Sequence, residues 1–228
     1  MKTFIFTSLI ILFYAITNSV NAQWSTDPEN PGTVCDVANV QTNPQALEDG
    51  EGGLFVFWLD RRNDAGWGAR DVYGQHFNPE GIALWEEDGR QIISHDKKLD
   101  WFKVYRLYEE EIIVAWASES DSLSVQRIDE QGAKVWTDDL VLGRTIPDPP
   151  TYIISLSGFE LIHDDAGYCA AFQAIYMGGS NGNRITRFSS DGVLTGPFNG
   201  EPEGNQYYVG NYGLLNAYNA SNSVYLYY

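Results

Sequence analysis

The stretch WLDRRNDAGWGARDVYG, Trp58 to Gly74, gathers Asp60, Arg61, Arg62, Asp64, Trp67, Arg70 and Asp71. Such a set supports two kinds of chemistry. A guanidinium pairs with a carboxylate through parallel hydrogen bonds, and an exposed indole can stack on the face of a sugar ring. The loop could therefore receive an acidic or carbohydrate ligand. Alternatively, Asp60, Arg62 and Asp71 pair among themselves and lock the loop to the structure beneath it. The ligand-binding candidates are Asp60, Arg62, Trp67 and Arg70, joined by the more distant aromatics Trp101 and Tyr176.

Catalytic patterns are sparse. Glycoside chemistry needs two carboxyl groups about 5–10 Å apart. Acids abound, as in Glu86–Glu87–Asp88, Glu109–Glu110–Glu111 and Asp164–Asp165, but they fall in turns where a solvated carboxylate is ordinary. The turns lack the Ser-x-Asp-x-Gly-x-x-Trp order of the sialidase Asp-box. No local Ser-His-Asp set and no phosphate loop is present, and His76, His95 and His163 are scattered. No zinc-type spacing occurs and no run matches an EF-hand loop, so no metal site and no cofactor is expected beyond weak calcium binding in an acidic turn. Cys35 and Cys169 could form one disulfide, but they fall on different repeats, and each is expected to be a small apolar strand residue.

The elements that position these residues are strands. Short runs rich in Val, Ile, Tyr, Phe and Trp alternate with Gly, Asn and Asp clusters, and helical periodicity is nearly absent. The pattern repeats. Hairpins PQALEDGEGGLFVFWLD, KVYRLYEEEIIVAWAS, FELIHDDAGYCAAFQA and GLLNAYNASNSVYLYY have tips near Gly52, Glu110, Ala166 and Ser221, 58, 56 and 55 residues apart. Each of the first three is followed by a second strand pair. These are DVYGQHF into ALW, SLSVQRI into KVW, and NRITRF into VLTG, turning at Gly81, Gly132 and Gly192. Each repeat reads as strands A, B, C and D in one antiparallel sheet. Strand B is apolar almost throughout (LFVFW, IIVAW, YCAAF, VYLYY), so both of its faces must be covered. Four-stranded units repeated at this period, packed face to face, are the blades of a β-propeller.

Residues 41–92 resemble the repeat of secreted bacterial β-propeller proteins. That repeat carries Asp-Gly-x-Gly-Gly, Trp-x-Asp-x-Arg, Asp-x-Tyr and Gly-x-x-x-Trp, here Asp49, Gly50, Gly52, Gly53, Trp58, Asp60, Arg62, Asp71, Tyr73, Gly81 and Trp85. The second repeat keeps Trp116, Gly132 and Trp136 but has ASESD in place of Asp-x-Arg, and the third keeps Gly192. The resemblance implies a propeller fold and export. Such proteins often end in a sorting domain, and no segment of that kind is visible here. Because Asp60, Arg62 and Asp71 belong to the repeat motif, they read as the internal lock. Trp67 lies outside the motif and is the better ligand contact. The B–C and D–A loops share one propeller face, where Trp67, Asp96, Trp101, Tyr152 and Tyr176 are expected.

Lys2, the apolar run FIFTSLIILFYAI from Phe4 to Ile16, and the small residues of Val20-Asn21-Ala22 form a secretory signal peptide over residues 1–22. The propeller domain then spans 23–228, with an N-terminal outer strand at 23–42, blades at about 43–100, 101–157 and 158–211, and a partial blade at 212–228. Secretion or cell-surface display follows, without membrane insertion after cleavage. The net charge of −17 disfavours nucleic acid as a partner. Three and a half blades fall short of the about four to eight of closed propellers. The sequence therefore reads as part of a longer protein, or as one that self-associates through its incomplete last blade. Its expected function is a binding scaffold for carbohydrate or protein ligands rather than an enzyme. The rivals are a propeller-fold glycoside hydrolase or polysaccharide lyase, and a structural surface protein.

Overall fold

In the computed structural model the described residues are 29, 31–64, 68–94, 98–107, 111–118, 122–144, 152–164, 167–176, 181–196, 201–202, 216–220 and 223–227. They are all-β. The first sheet orders β1 (Gln41–Glu48), β2 (Leu54–Asp60), β3 (Asp71–Phe77) and β4 (Arg90–Ile93) as neighbours. The second does the same with β5 (Leu99–Arg106), β6 (Ile112–Ser118), β7 (Ser122–Ile128) and β8 (Leu140–Arg144). The third uses β9 (Tyr152–Asp164), β10 (Gly167–Tyr176), β11 (Asn181–Phe188) and β12 (Glu201–Pro202). β13 (Asn216–Ala220) and β14 (Ser223–Tyr227) form a two-stranded hairpin. Every pairing is antiparallel and sequential, as the up-and-down blades of a β-propeller require.

The apolar B strands behave as their composition demands. All seven residues of β6 are buried. One core holds Phe55, Phe57 and Leu59 of blade 1 against Val104, Val114 and Trp116 of blade 2. The other holds Ala115, Leu123 and Trp136 of blade 2 against Phe159, Tyr168 and Phe188 of blade 3. The blades thus cover one another, and neither face of the middle sheet is left in water.

Polar links set the level of one blade against the next. Gln45 of β1 donates to the Phe102 carbonyl at 2.8 Å and accepts from the Val104 amide. One repeat later Lys103 of β5 donates to the Phe159 carbonyl at 2.7 Å, to which the Tyr105 hydroxyl also donates. Burial, reinforced by the charge of Glu160, pushes the Tyr105 hydroxyl well up, so it remains a donor.

A second link joins the turns. The Trp85 indole donates to the Glu130 carbonyl at 3.0 Å, and the Trp136 indole donates to the Ser190 carbonyl at 2.8 Å. Each indole lies on the glycine of the following turn. A Cβ on Gly132 would sit 3.2 Å from Trp85, and one on Gly192 only 2.6 Å from Trp136. Both glycines hold φ of +75°.

The structure places several boundaries differently from the sequence reading. ALW, KVW and VLTG make only single bridges, Phe77 to Ala83, Ile128 to Lys134 and Phe188 to Leu194. The fourth strands are β4, β8 and β12, because Trp85 and Trp136 leave the sheet to reach the next blade. The expected N-terminal outer strand is absent from residues 31–40, which run irregularly, and β1 already begins at Gln41. The first strands of the second and third sheets begin at Leu99 and Tyr152. Cys169 is a buried strand residue, whereas Cys35 lies outside any strand; neither forms a disulfide.

Replacing Gly192 by Ala should lower stability by about 1–3 kcal/mol, since it combines a left-handed backbone with a clash against a fixed indole. Gly132→Ala, with its looser contact, should cost less. Urea unfolding of the two variants tests this order, and equal costs would refute the indole-on-glycine joint.

Candidate functional site

Asp60 closes β2 directly opposite Asp71, which opens β3. The β2–β3 loop is anchored on these two carboxylates. Asp60 is 1% exposed. Its Oδ2 accepts from the Trp58 indole at 2.8 Å and from Arg62 Nη2 at 2.7 Å, and its Oδ1 accepts from the Arg62 amide at 2.7 Å. Asp71 Oδ2 accepts from Asn63 Nδ2 at 3.0 Å and from Gln91 Nε2 at 2.8 Å. Farther along the loop, Asp64 pairs with Arg61 at 2.5 Å and accepts from the Gly68 amide.

Arg62 is the hub. Besides Asp60, its Nη2 donates to the Asp88 carbonyl at 2.8 Å and to Cys35 Sγ at 3.2 Å. Its guanidinium lies 3.9 Å over the Tyr73 ring, and Tyr73 stacks with Trp58. The Asp36 amide donates to Asp88 Oδ1, so the N-terminal segment is tied to the same point. The packing is tight enough that Gly89, at φ +88°, could not carry a side chain: its Cβ would lie 2.4 Å from Trp58.

This arrangement fixes the protonation of Asp60. Burial opposes its charge, but the hydrogen bonds from Arg62 and Trp58 outweigh that cost and hold the carboxyl below its ordinary value. An ionised acid whose acceptors already face fixed donors is poorly suited to act as a general acid. It is well suited to hold a loop in place.

Of the residues expected to bind ligand, the structure brings Asp60 and Arg62 together. Arg70 Nη1 reaches the Leu99 carbonyl of the next blade at 3.5 Å. Trp101 belongs to β5 and packs edge-on against Phe159 with centroids 5.8 Å apart, so it serves the joint between blades 2 and 3. Tyr176 ends β10. Trp67 and Asp96 lie outside the described residues, as do the side chains of Tyr152 and Tyr176. Among the described residues no group of three His, Cys, Asp or Glu clusters as a metal site would.

Sequence reasoning overlooked a second cluster, at the β1–β2 tip. Asp49 Oδ1 accepts from the Glu51 amide at 2.8 Å and the Gly53 amide at 2.7 Å, and its Oδ2 meets His76 Nε2 at 3.0 Å. Burial opposes the Asp49 charge, but the His76 bond and the two amides hold its carboxyl below the ordinary value. An open groove of about 460 Å³ is lined by Glu48, Gly50, Gly52, Gly53 and Leu54. The signal was present in the Asp-Gly-x-Gly-Gly turn, but His76 is distant in sequence and only strand pairing brings it near.

No family model matches the chain, and no curated protein matches it. Solved structures do. The endo-arabinase from Bacteroides thetaiotaomicron VPI-5482 aligns over 80% of this chain and 68% of its own, with 13% identity and a TM-score of 0.50. The Bacteroides ovatus Xyloglucan PUL GH43B aligns over 69% of this chain and 28% of its own, with 14% identity and a TM-score of 0.41. At this level of identity the first likeness is one of fold.

Asp60→Asn should cost roughly 3 kcal/mol at neutral pH by leaving the half-buried Arg62 without its charge partner. The wild-type contribution is present above the ordinary carboxylate value of 3.8 and is lost as pH falls through the lower folded value. The variant's stability profile should therefore be flatter below that point. Thermal unfolding across acid pH checks both, and parallel profiles would refute the assignment.

Proposed function

We propose that this chain is an exported, carbohydrate-directed β-propeller whose ligand face is formed by the B–C loops and the D–A connections, and that it cleaves a polysaccharide as a glycoside hydrolase does. The observation that carries this reading is the fold likeness to an endo-arabinase over 80% of the chain. The Arg- and Trp-bearing loop after β2 and the apolar N-terminal run from Phe4 to Ile16 support ligand binding and export. On this reading Trp67 and Arg70 contact sugar, and the catalytic acids belong to other loops of the same face, because Asp60 is already saturated.

A second reading is a binding scaffold at the cell surface that retains glycan without cleaving it. What favours it is the Asp60–Arg62 lock itself: the described acids of the loop hold structure, with no carboxylate pair left facing outward between them. Self-association through the β13–β14 hairpin belongs with this reading.

Incubation of the purified chain with arabinan and with xyloglucan separates the two. Release of new reducing ends supports hydrolysis. Depletion of polysaccharide without new ends supports the scaffold, and Trp67→Ala should then weaken retention by about tenfold or more. The absence of both release and retention would overturn the carbohydrate assignment.

A further inference from the structure

The stretch from Asp60 to Asp71 carries three aspartates and three arginines, and the pairing among them is uneven. Arg62 takes Asp60 at 2.7 Å, and Arg61 takes Asp64 at 2.5 Å. The third acid, Asp71, is met by the side-chain amides of Asn63 and Gln91. Arg70 stands next to Asp71 in the chain but leaves it on the other side, because successive residues along a strand point to opposite faces. It turns toward blade 2, where its Nη1 donates to the Leu99 carbonyl at 3.5 Å, a long and weak hydrogen bond. Its Nε is buried without a hydrogen-bond partner.

A buried donor on a charged group that finds no acceptor gives up hydration and gains nothing for it. With 31 acids against 14 Lys and Arg, the chain has carboxylates to spare for every cation, and Arg127 shows the usual outcome by pairing with Glu111 at 2.8 Å. Arg70 is placed otherwise, and strand register says where. Gln41 lies opposite Asp60 and Asp60 opposite Asp71. In blade 2, Leu99 lies opposite Ser118 and Ser118 opposite Ser122. All of these residues belong to the end of the sheets from which the B–C loops and D–A connections emerge. Arg70 therefore sits at the mouth of the crevice between blades 1 and 2, on the proposed ligand face. The residues of blade 2 that stand where blade 1 has Asp60 and Asp71 carry no charge: Ser118 and Ser122 hold each other, Oγ to Oγ, at 3.3 Å.

We propose that Arg70 selects an acidic glycan: its guanidinium receives the carboxylate of a uronic acid unit in a polysaccharide laid across the mouth of blades 1 and 2. The inference rests on the carbohydrate reading above and names the substrate class within it. A guanidinium offers parallel N–H donors that match the two oxygens of a carboxylate, and the bonds are charge-assisted from both sides. A neutral sugar offers only hydroxyls, which accept from those donors without the opposing charge. Asp60 and Asp64 each hold an arginine of their own, so neither competes with an incoming carboxylate for Arg70. The formal charge of −17 repels an acidic polymer at long range, so the preference comes from close contact and survives salt that screens the distant repulsion.

Retention of soluble polysaccharides by the full chain, in about 0.15 M salt, tests the assignment. Polygalacturonate, glucuronoxylan and alginate are each set against their carboxyl-reduced forms, with arabinan and xyloglucan as neutral references. In at least one pair the acidic member should be held about tenfold more tightly, the difference between a charge-assisted and a neutral hydrogen bond. Arg70→Gln should bring that pair to parity, and Arg70→Lys, which keeps the charge but not the fork, should fall between. A residue that only braced blade 1 against Leu99 would instead lower the melting temperature and weaken both members of the pair alike. If Arg70→Gln does not fold, the wild-type pairs and the Lys variant still decide. Equal retention within every pair, with neutral polysaccharide still bound, would overturn the acidic assignment and leave the carbohydrate reading standing. An acidic preference that persists in Arg70→Gln would remove Arg70 from the site. Retention of none of the polysaccharides, without release of new reducing ends, would end both.

Discussion

The placement of successive blades depends on an indole lying on a glycine. Trp85 covers Gly132 and Trp136 covers Gly192, each donating its N–H to a carbonyl in the turn beneath it. An indole is large and rigid, and its single donor gives it one direction. Once it is seated, the next turn is fixed in height and rotation. The inner-strand links from Gln45 to Phe102 and from Lys103 to Phe159 then fall into register. A glycine is required beneath each indole for two separate reasons, the left-handed backbone and the missing Cβ. The pattern changes at the third turn, where Gly196 takes the tryptophan's place. A Cβ there would lie 2.5 Å from the Arg187 amide nitrogen, so the chain folds back on its own sheet.

That joint also explains what could be read from the sequence. The apolar B strands and the turn glycines are local signals, and they indicated blades at the correct period. The D strands were misplaced because ALW and KVW look like strand segments by composition. Their tryptophans span two blades instead: Trp85 packs on Phe55 and Phe57 of its own blade and reaches the Glu130 carbonyl of the next, and Trp136 meets Phe188 and the Ser190 carbonyl of blade 3. The true D strands come only after a further turn, marked in blade 1 by Asp88 and Gly89 at positive φ. Whether an aromatic residue serves its own sheet or the next one is a matter of packing between repeats, and no single window of sequence contains it. Residues 31–40, part of the segment where an outer strand was expected, are tied to blade 1 by the Arg62 bond to Cys35 Sγ and by the Asp36 amide, which donates to Asp88 Oδ1.

The loop after β2 shows the same limit at the level of chemistry. Its Asp and Arg residues were visible, and their membership of a repeat motif pointed to a lock. The partners that complete the lock were not visible. Cys35 lies 27 residues upstream of Arg62 and Asp88 lies 26 downstream, and both reach it because the sheet brings them there. The Asp49–His76 pair is likewise separated by 27 residues. Residue type and spacing identify groups capable of chemistry, whereas the number of donors already aimed at each carboxylate determines which of them retain it.

This bears directly on how an acidic propeller could act on sugar. With a formal charge of −17, carboxylates are too numerous to be informative by presence alone. A catalytic acid must be able to take up and release a proton near neutral pH, which calls for burial without a full set of donors. Asp60 and Asp49 are the reverse case: both are buried, yet held ionised by two or three donors each. Each stiffens the end of a blade 1 strand pair, Asp60 beside the B–C loop and Asp49 at the A–B tip. Rigid supports of this kind are what a binding face needs beneath it, because sugar contacts are weak singly and depend on ordered side chains. Asp60 and Asp49 therefore hold other residues still, and on the proposed hydrolase reading the reactive groups would come from carboxylates with fewer fixed donors.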